Sequence, residues 1–300
     1  MDLGVGLPSA GAQASADGMV RIAKGAEQLG YRAVWAFERL LYALGDISQP
    51  GGPPRPLPKV YGCVYEPIES LAFVAAHTST IRLGTSVVVI PFHGPVSIAR
   101  RLATLDQLSG GRVIAGFGQG WMDQEFTAAG VSKNGAGRRT REFVEVLRRA
   151  WGPDPVEFEG RVYTVPRSRI QPKPLQPGGP PILLGVFAPS AVERAARIAD
   201  GFNPIAFSYD SLAGTVARFR SAAEAAGRGK PVVMARANVA MTPDPLGDDR
   251  PFLGGAPEQI AEDLKRVEEL DIDQVFFSNQ AATSIDDQLR LLERLRKAYP

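Results

Sequence analysis

Eight times along this chain a short, apolar, β-forming run gives way to an amphipathic stretch suited to a helix. No other feature limits the fold so strongly. Strands that alternate with helices pair in parallel, and the helices pack outside the sheet they form. The apolar runs are residues 3–7, 33–37, 81–90, 113–117, 182–186, 202–205, 232–240 and 274–278. Helical periodicity covers 17–30, 67–78, 95–108, 189–199, 210–226, 257–270 and 285–298, and two further stretches, near 122–129 and at 138–151, follow the fourth run. Asp17 is placed to cap the first helix and Gly30 to end it. In helix 257–270, Ile260, Leu264, Val267 and Leu270 fall on one stripe that must be buried.

Eight such units are the count of a TIM barrel. A doubly wound sheet is the alternative, but a dinucleotide fold needs G-x-G-x-x-G after its first strand. Here that position reads GVGLPSAG, and Pro8 breaks the template. Residues 152–181 depart from the alternation, first as a small hairpin and then as proline-rich extended chain. They read as an insertion after strand four, inside one domain spanning 1–300.

Composition narrows the function classes. Lys and Arg number 34 against 32 Asp and Glu, a net charge of +2, which gives no electrostatic case for nucleic acid or an anionic membrane. A single cysteine excludes an internal disulfide and a cysteine-rich zinc site. Two histidines leave little for a histidine-rich metal centre, and no His-x-His follows strand one as a metal-hydrolase barrel would require. No metal site is therefore assigned, and demanding chemistry would come from an organic cofactor. The N-terminus MDLGVGLPSAG lacks the basic and apolar segments of a leader, and no apolar run is long enough to span a bilayer. The expectation is a soluble, cytoplasmic protein.

In a barrel the site lies at the C-terminal ends of the strands. After strand two come Glu38 and Arg39, aimed at the mouth, then a long loop through residue 62 that would act as a lid or substrate wall. His93 follows strand three, whereas His77, late in a helix, is expected to be structural. After strand four the glycines of GFGQGW let the backbone approach a flat ligand, with Gln119 and Trp121 beside it. After strand five, Gly185-Val186-Phe187-Ala188-Pro189-Ser190 opens a helix whose N-terminus suits a phosphate.

The run IRLGTSVVVIPFHGP from Ile81, ATLDQLSGGRV from Ala103, and GFGQGW from Gly116 with Glu125-Phe126 resembles the bacterial luciferase-like flavin monooxygenase superfamily. RVY at Arg161, IQPKPLQP at Ile170, PILLG at Pro181 and AARIADGF at Ala195 extend the similarity over nearly the whole chain. Within it, the chain is most similar to deazaflavin oxidoreductases that use coenzyme F420. The resemblance implies a TIM barrel with an insertion after strand four, a homodimer, and a flavin-type ring at the mouth. It implies a non-proline cis peptide at Ser86–Val87 under the ring, with the ring over Val87 and Val88. Gly118, Gln119 and Trp121 would border it, and Gly185 to Ala188 with Ser190 would meet its phosphate. Glu38, Arg39 and His93 are the candidate catalytic residues. Relatives commonly hold Asp-His where this chain has Glu38-Arg39, and that His takes part in catalysis. They often read Arg-His-Pro where it has His93-Gly94-Pro95, and Gly-Gly-x-Ser-Pro where it has Gly185 to Pro189.

The resemblance thus implies hydride transfer between F420 and a small organic substrate. FMN with a separate flavin reductase, in a monooxygenase, is the alternative, and a non-catalytic flavin-binding barrel is a third.

Overall fold

A parallel strand covered on both faces needs apolar residues at consecutive positions. The eight strands have them, and they close into a parallel barrel: β1 Asp2–Gly6, β2 Ala33–Ala36, β3 Arg82–Thr85, β4 Val113–Gly118, β5 Ile182–Gly185, β6 Gly201–Phe202, β7 Val232–Val239 and β8 Gln274–Asn279. Each pairs with its neighbours in chain order, and β8 returns to β1. The structure is a computed structural model that describes residues 1–49, 52–279 and 284–300. Residues 50 and 51 of the long loop after β2 lie outside the described residues.

Side chains alternate between two apolar layers. Ala33, Trp35, Ile114, Leu183, Met234 and Phe276 point inward and fill the barrel. Trp35 and Phe276 stack with ring centroids 4.3 Å apart, and Trp35 Nε1–H donates to Gln274 Oε1 at 3.0 Å. Glycines on the flanking strands make room. A Cβ on Gly84 would stand 2.3 Å from Trp35 Cε3, and one on Gly4 would stand 2.9 Å from Trp35 Nε1. The outward residues, such as Val34, Leu83, Phe117 and Val275, pack on the helices.

The helices are α1 Ala16–Gln28, α2 Pro67–Ala75, α3 Pro95–Ser109, α4 Asp123–Ala128, α5 Ala136–Trp151, α6 Pro189–Ile198, α7 Tyr209–Ala225, α8 Pro257–Glu268 and α9 Ile285–Ala298. Ile260, Leu264 and Val267 are buried on α8 as the periodicity requires, and Leu270 packs on the core just past its end. Ser15, not Asp17, caps α1, its hydroxyl accepting Gly18 N–H at 3.1 Å. Gly30 has φ +77°, the left-handed geometry expected after that helix. Among the described residues no helix is long and apolar enough to cross a membrane.

Two strands are shorter than their apolar runs. The third stops at Thr85. Ser86 N–H donates to Ala36 O at 2.7 Å, the Ser86–Val87 peptide is cis, and Val88–Val89 then rejoins β4 opposite Phe117 and Gly118. The sixth is only Gly201–Phe202, because Pro204, two residues later, has no N–H for a ladder. Its carbonyl still accepts Arg236 N–H at 2.8 Å.

Between β4 and β5 lie α4, α5 and then, in the insertion expected over 152–181, an antiparallel hairpin, Val156–Glu159 with Thr164–Ser168. Two carboxylates tie down the chain that follows. Asp154 accepts from Ile170 N, Gln171 Nε2 and Lys173 Nζ, and the Lys173 bond leads in holding its carboxyl down to about 2. Buried Asp106 accepts the backbone N–H groups of Leu175 and Gln176.

Candidate active site at the barrel mouth

The floor of the mouth is one side chain seated between two glycines. β4 and β5 pair with Gly118 opposite Gly185. Val87, lifted out of β3, drops its methyls toward both. A Cβ on Gly118 would lie 2.5 Å from Val87 Cγ2, and one on Gly185 would lie 3.0 Å from Val87 Cγ1. The result is a smooth apolar knob with bare backbone on either side, open to a cavity of about 320 Å³.

Polar groups hold this knob from beneath. Ser86 Oγ–H donates to Asn203 Oδ1 at 2.6 Å, and Asn203 Nδ2–H donates to Met234 O at 2.6 Å. Arg236 of β7 donates from Nη1 to the Ser86 carbonyl and from Nε to Asn238 Oδ1 at 2.7 Å. Its guanidinium lies 4.8 Å from the Phe37 ring centroid. Burial works against its charge and lowers its pKa.

Glu38 and Arg39 both line the cavity, in different electrostatic settings. The Glu38 carboxylate accepts Val89 N–H on Oε2 at 2.6 Å and faces His93 Nε2 from Oε1 at 2.5 Å. Arg39 donates from Nη1 to Glu125 Oε2 at 2.8 Å, and Leu40 N–H donates to the other oxygen at 2.8 Å. Its guanidinium is sandwiched between Tyr61, at 4.9 Å, and Trp121, at 5.1 Å. Its Nε is buried with no partner among the described residues. Burial raises the Glu125 carboxyl above the ordinary range, against the pull of Arg39 and the backbone donors.

Most residues expected at the mouth do meet there. Ser86, Val87, Gly118, Gln119, Trp121 and Gly185 line the cavity, together with Val186, Phe187 and Ala188. The Gln119 side chain is held by Thr140 Oγ1 at 3.1 Å. Three expectations need correction. Val88 is buried in the outer layer, because strand alternation turns Val87 and Val89 to the cavity and Val88 away. Ser190 sits in the first turn of α6, exposed and off the cavity wall. His93 stands behind Glu38 and does not line the cavity. His77 packs edge-on against Phe73 on the outside, as expected of a structural residue.

Sequence reasoning missed Asn203, Arg236, Tyr61 and Glu125 as wall residues. Arg236 had a readable signal, a charge inside the apolar strand VVMARANV. Tyr61 belongs to the 3₁₀ turn Lys59–Gly62 of the long loop, where no periodicity marks it.

Comparison with known proteins gives four findings beside the geometry. Residues 1–246 match the family described as luciferase-like monooxygenase. The chain is 35% identical over 137 residues to an uncharacterized protein of Mycobacterium tuberculosis, covering 46% of this chain and 49% of that one, so the match spans about half the relative's length. It is 30% identical over 252 residues to the F420-dependent hydroxymycolic acid dehydrogenase of the same organism, covering 82% of this chain and 64% of that one. Its fold superposes on the crystal structure of the monooxygenase RslO1 from Streptomyces bottropensis with a TM-score of 0.82 and 23% identity, covering 99% and 98% of the two chains.

Proposed function

The chain belongs to the luciferase-like monooxygenase family, and from that premise we propose that it is a coenzyme F420-dependent oxidoreductase moving a hydride between the deazaflavin ring and a small organic substrate. The observation that carries this reading is the floor of the mouth. Val87 between Gly118 and Gly185 offers a flat ring an apolar face, with no Cβ to hold it off the backbone. The 30% identity to an F420-dependent dehydrogenase supports a deazaflavin as that ring.

The residues present fit such a group. Val87 would support the ring from below, and Gln119 and Trp121 would border its edge. Phe187 and Ala188 line the cavity where α6 begins without a side-chain cap, and the Ser190 N–H that follows Pro189 would meet the phosphate of the tail. When bound, the deazaflavin supplies hydride transfer at its ring carbon C5. The chain would contribute orientation, water exclusion by Phe37, Tyr61 and Trp121, and proton handling. Glu38 is the group for the last task, since it is the carboxylate of the wall that pairs with an imidazole. The family resemblance implies a histidine of relatives at the position of Arg39. Here His93 supplies the ring from behind, so a proton at Glu38 Oε1 can be shared with His93 Nε2. Arg39, paired with Glu125, is a fixed element of the wall and never a base.

The test is turnover of the purified protein, without oxygen, with F420 and a panel of alcohols, or with reduced F420 and a panel of carbonyl compounds. A substrate-dependent change in the cofactor's visible absorbance is the expected result. It would also dismiss a non-catalytic flavin-binding barrel. Oxygen consumption with FMN and a flavin reductase, with no turnover of F420, would replace this reading by the two-component monooxygenase suggested by the family's description.

A further inference from the structure

A second cavity, of about 260 Å³, lies beside the first at the ends of β1 and β8. Phe37, Tyr61 and Arg236 line both and form the partition between them. The chemistry of the two differs. Glu38 and Glu125 face the first cavity, whereas the second carries Arg236 and Lys59 and, among the described residues, has no Asp or Glu on its wall. The rest of that wall mixes apolar residues such as Leu7, Pro8 and Val60 with the polar side chains of Gln13, Ser278, Asn279 and Gln288.

Arg236 is the informative residue. Two of its five N–H bonds are spoken for, by Asn238 and by the Ser86 carbonyl. Among the described residues it has no ion-pair partner, although burial works against its charge. The other arginine of the mouth, Arg39, has Glu125 at 2.8 Å. A half-buried cation without a counter-charge costs free energy, which an anion brought by a ligand would offset. The planar guanidinium fork matches a carboxylate in particular.

We infer that the second cavity is the substrate pocket and that the substrate is an organic acid, its carboxylate held by Arg236 at the partition and drawn in by Lys59 at the rim. That the bound acid is a substrate rests on the proposed function, which puts the cofactor ring in the first cavity. The anion site itself rests only on the side chains of the second.

Calorimetric titration of the full chain with benzoate, its neutral isostere benzamide, and inorganic phosphate tests the inference. Benzoate should bind saturably, with benzamide weaker by about tenfold or more and phosphate failing to compete. Arg236→Met should weaken benzoate by about tenfold, Arg236→Lys by less, and Lys59→Met by about threefold. Lys59 is exposed, so its variant reports even where Arg236→Met fails to fold. Equal affinity for benzoate and benzamide, indifference of benzoate binding to these substitutions, or equal competition by phosphate would overturn the inference. A parallel titration with F420 separates the two claims. Benzoate binding as described without F420 binding would sink the proposed function and leave the anion site standing. F420 binding without benzoate binding would do the reverse.

Discussion

The interior of the barrel and its mouth use the same device for opposite ends. In the interior, Gly4 and Gly84 vacate space that Trp35 fills completely, with Phe276 stacked on it. At the mouth, Gly118 and Gly185 vacate space that Val87 only half fills, and the remainder is the cavity. A glycine opposite a large ring is packing. A glycine opposite a small knob at a strand end is a place for a ligand. The difference should separate stability from function when either region is changed.

Trp35→Ala should show the largest effect. Removing a fully packed indole should cost about 4 kcal/mol of stability, measured by urea unfolding, while the folded fraction keeps its cofactor affinity. Glu38→Gln should do the converse. Turnover should fall by about a hundredfold, with cofactor affinity nearly unchanged, because the loss is of proton handling and not of the floor. A pair of like substitutions sharpens the contrast further. Gly84→Ala drives a methyl to 2.3 Å from the indole and should destabilise by about 2 kcal/mol. Gly118→Ala sets a methyl 2.5 Å from Val87 Cγ2, displaces the knob itself, and should above all weaken F420 binding, by about tenfold. Comparable stability losses in both variants, with binding intact in both, would break the distinction.

The smallest effect concerns pH. Burial holds the Glu125 carboxyl above its ordinary range. The folded chain therefore binds that proton more tightly than the unfolded chain does. Stability tied to this group is present below the ordinary carboxylate pKa and declines as pH rises through the folded value. Glu125→Gln should flatten that decline in a series of melting curves, by less than about 1.4 kcal/mol per pH unit. An unchanged slope would show that Arg39 and Leu40 N–H fully compensate the burial.

The barrel was legible because its signal is repetitive. Eight apolar runs, each followed by an amphipathic helix, leave one parallel closed arrangement, and most observed elements fall within a few residues of those runs. The breaks were not legible in the same way. The apolar run 81–90 reads as one strand, but hydrogen bonds from Ser86 and to Val87 bend it at the mouth, and only the family resemblance pointed to that peptide. The site divides along the same line. Residues at or just beyond a strand end, such as Glu38, Gly118 and Gly185, could be placed by position. Val88 and His93 could not, since which side of a bulge or a carboxylate a residue occupies is decided by tertiary contacts. Arg236 and Asn203 join the site through strands β6 and β7, distant in sequence from the bulge that they support.

The proposed function places a deazaflavin ring on the Val87 floor. Titration of the protein with F420 and with FMN, following the quenching of tryptophan fluorescence, tests it most directly, because Trp121 stands on the cavity wall. Saturable quenching by F420 is expected, weaker by about tenfold in Gly118→Ala, with much weaker binding of FMN. Tight binding of FMN with no response to F420, or F420 binding that ignores Gly118→Ala, would contradict it.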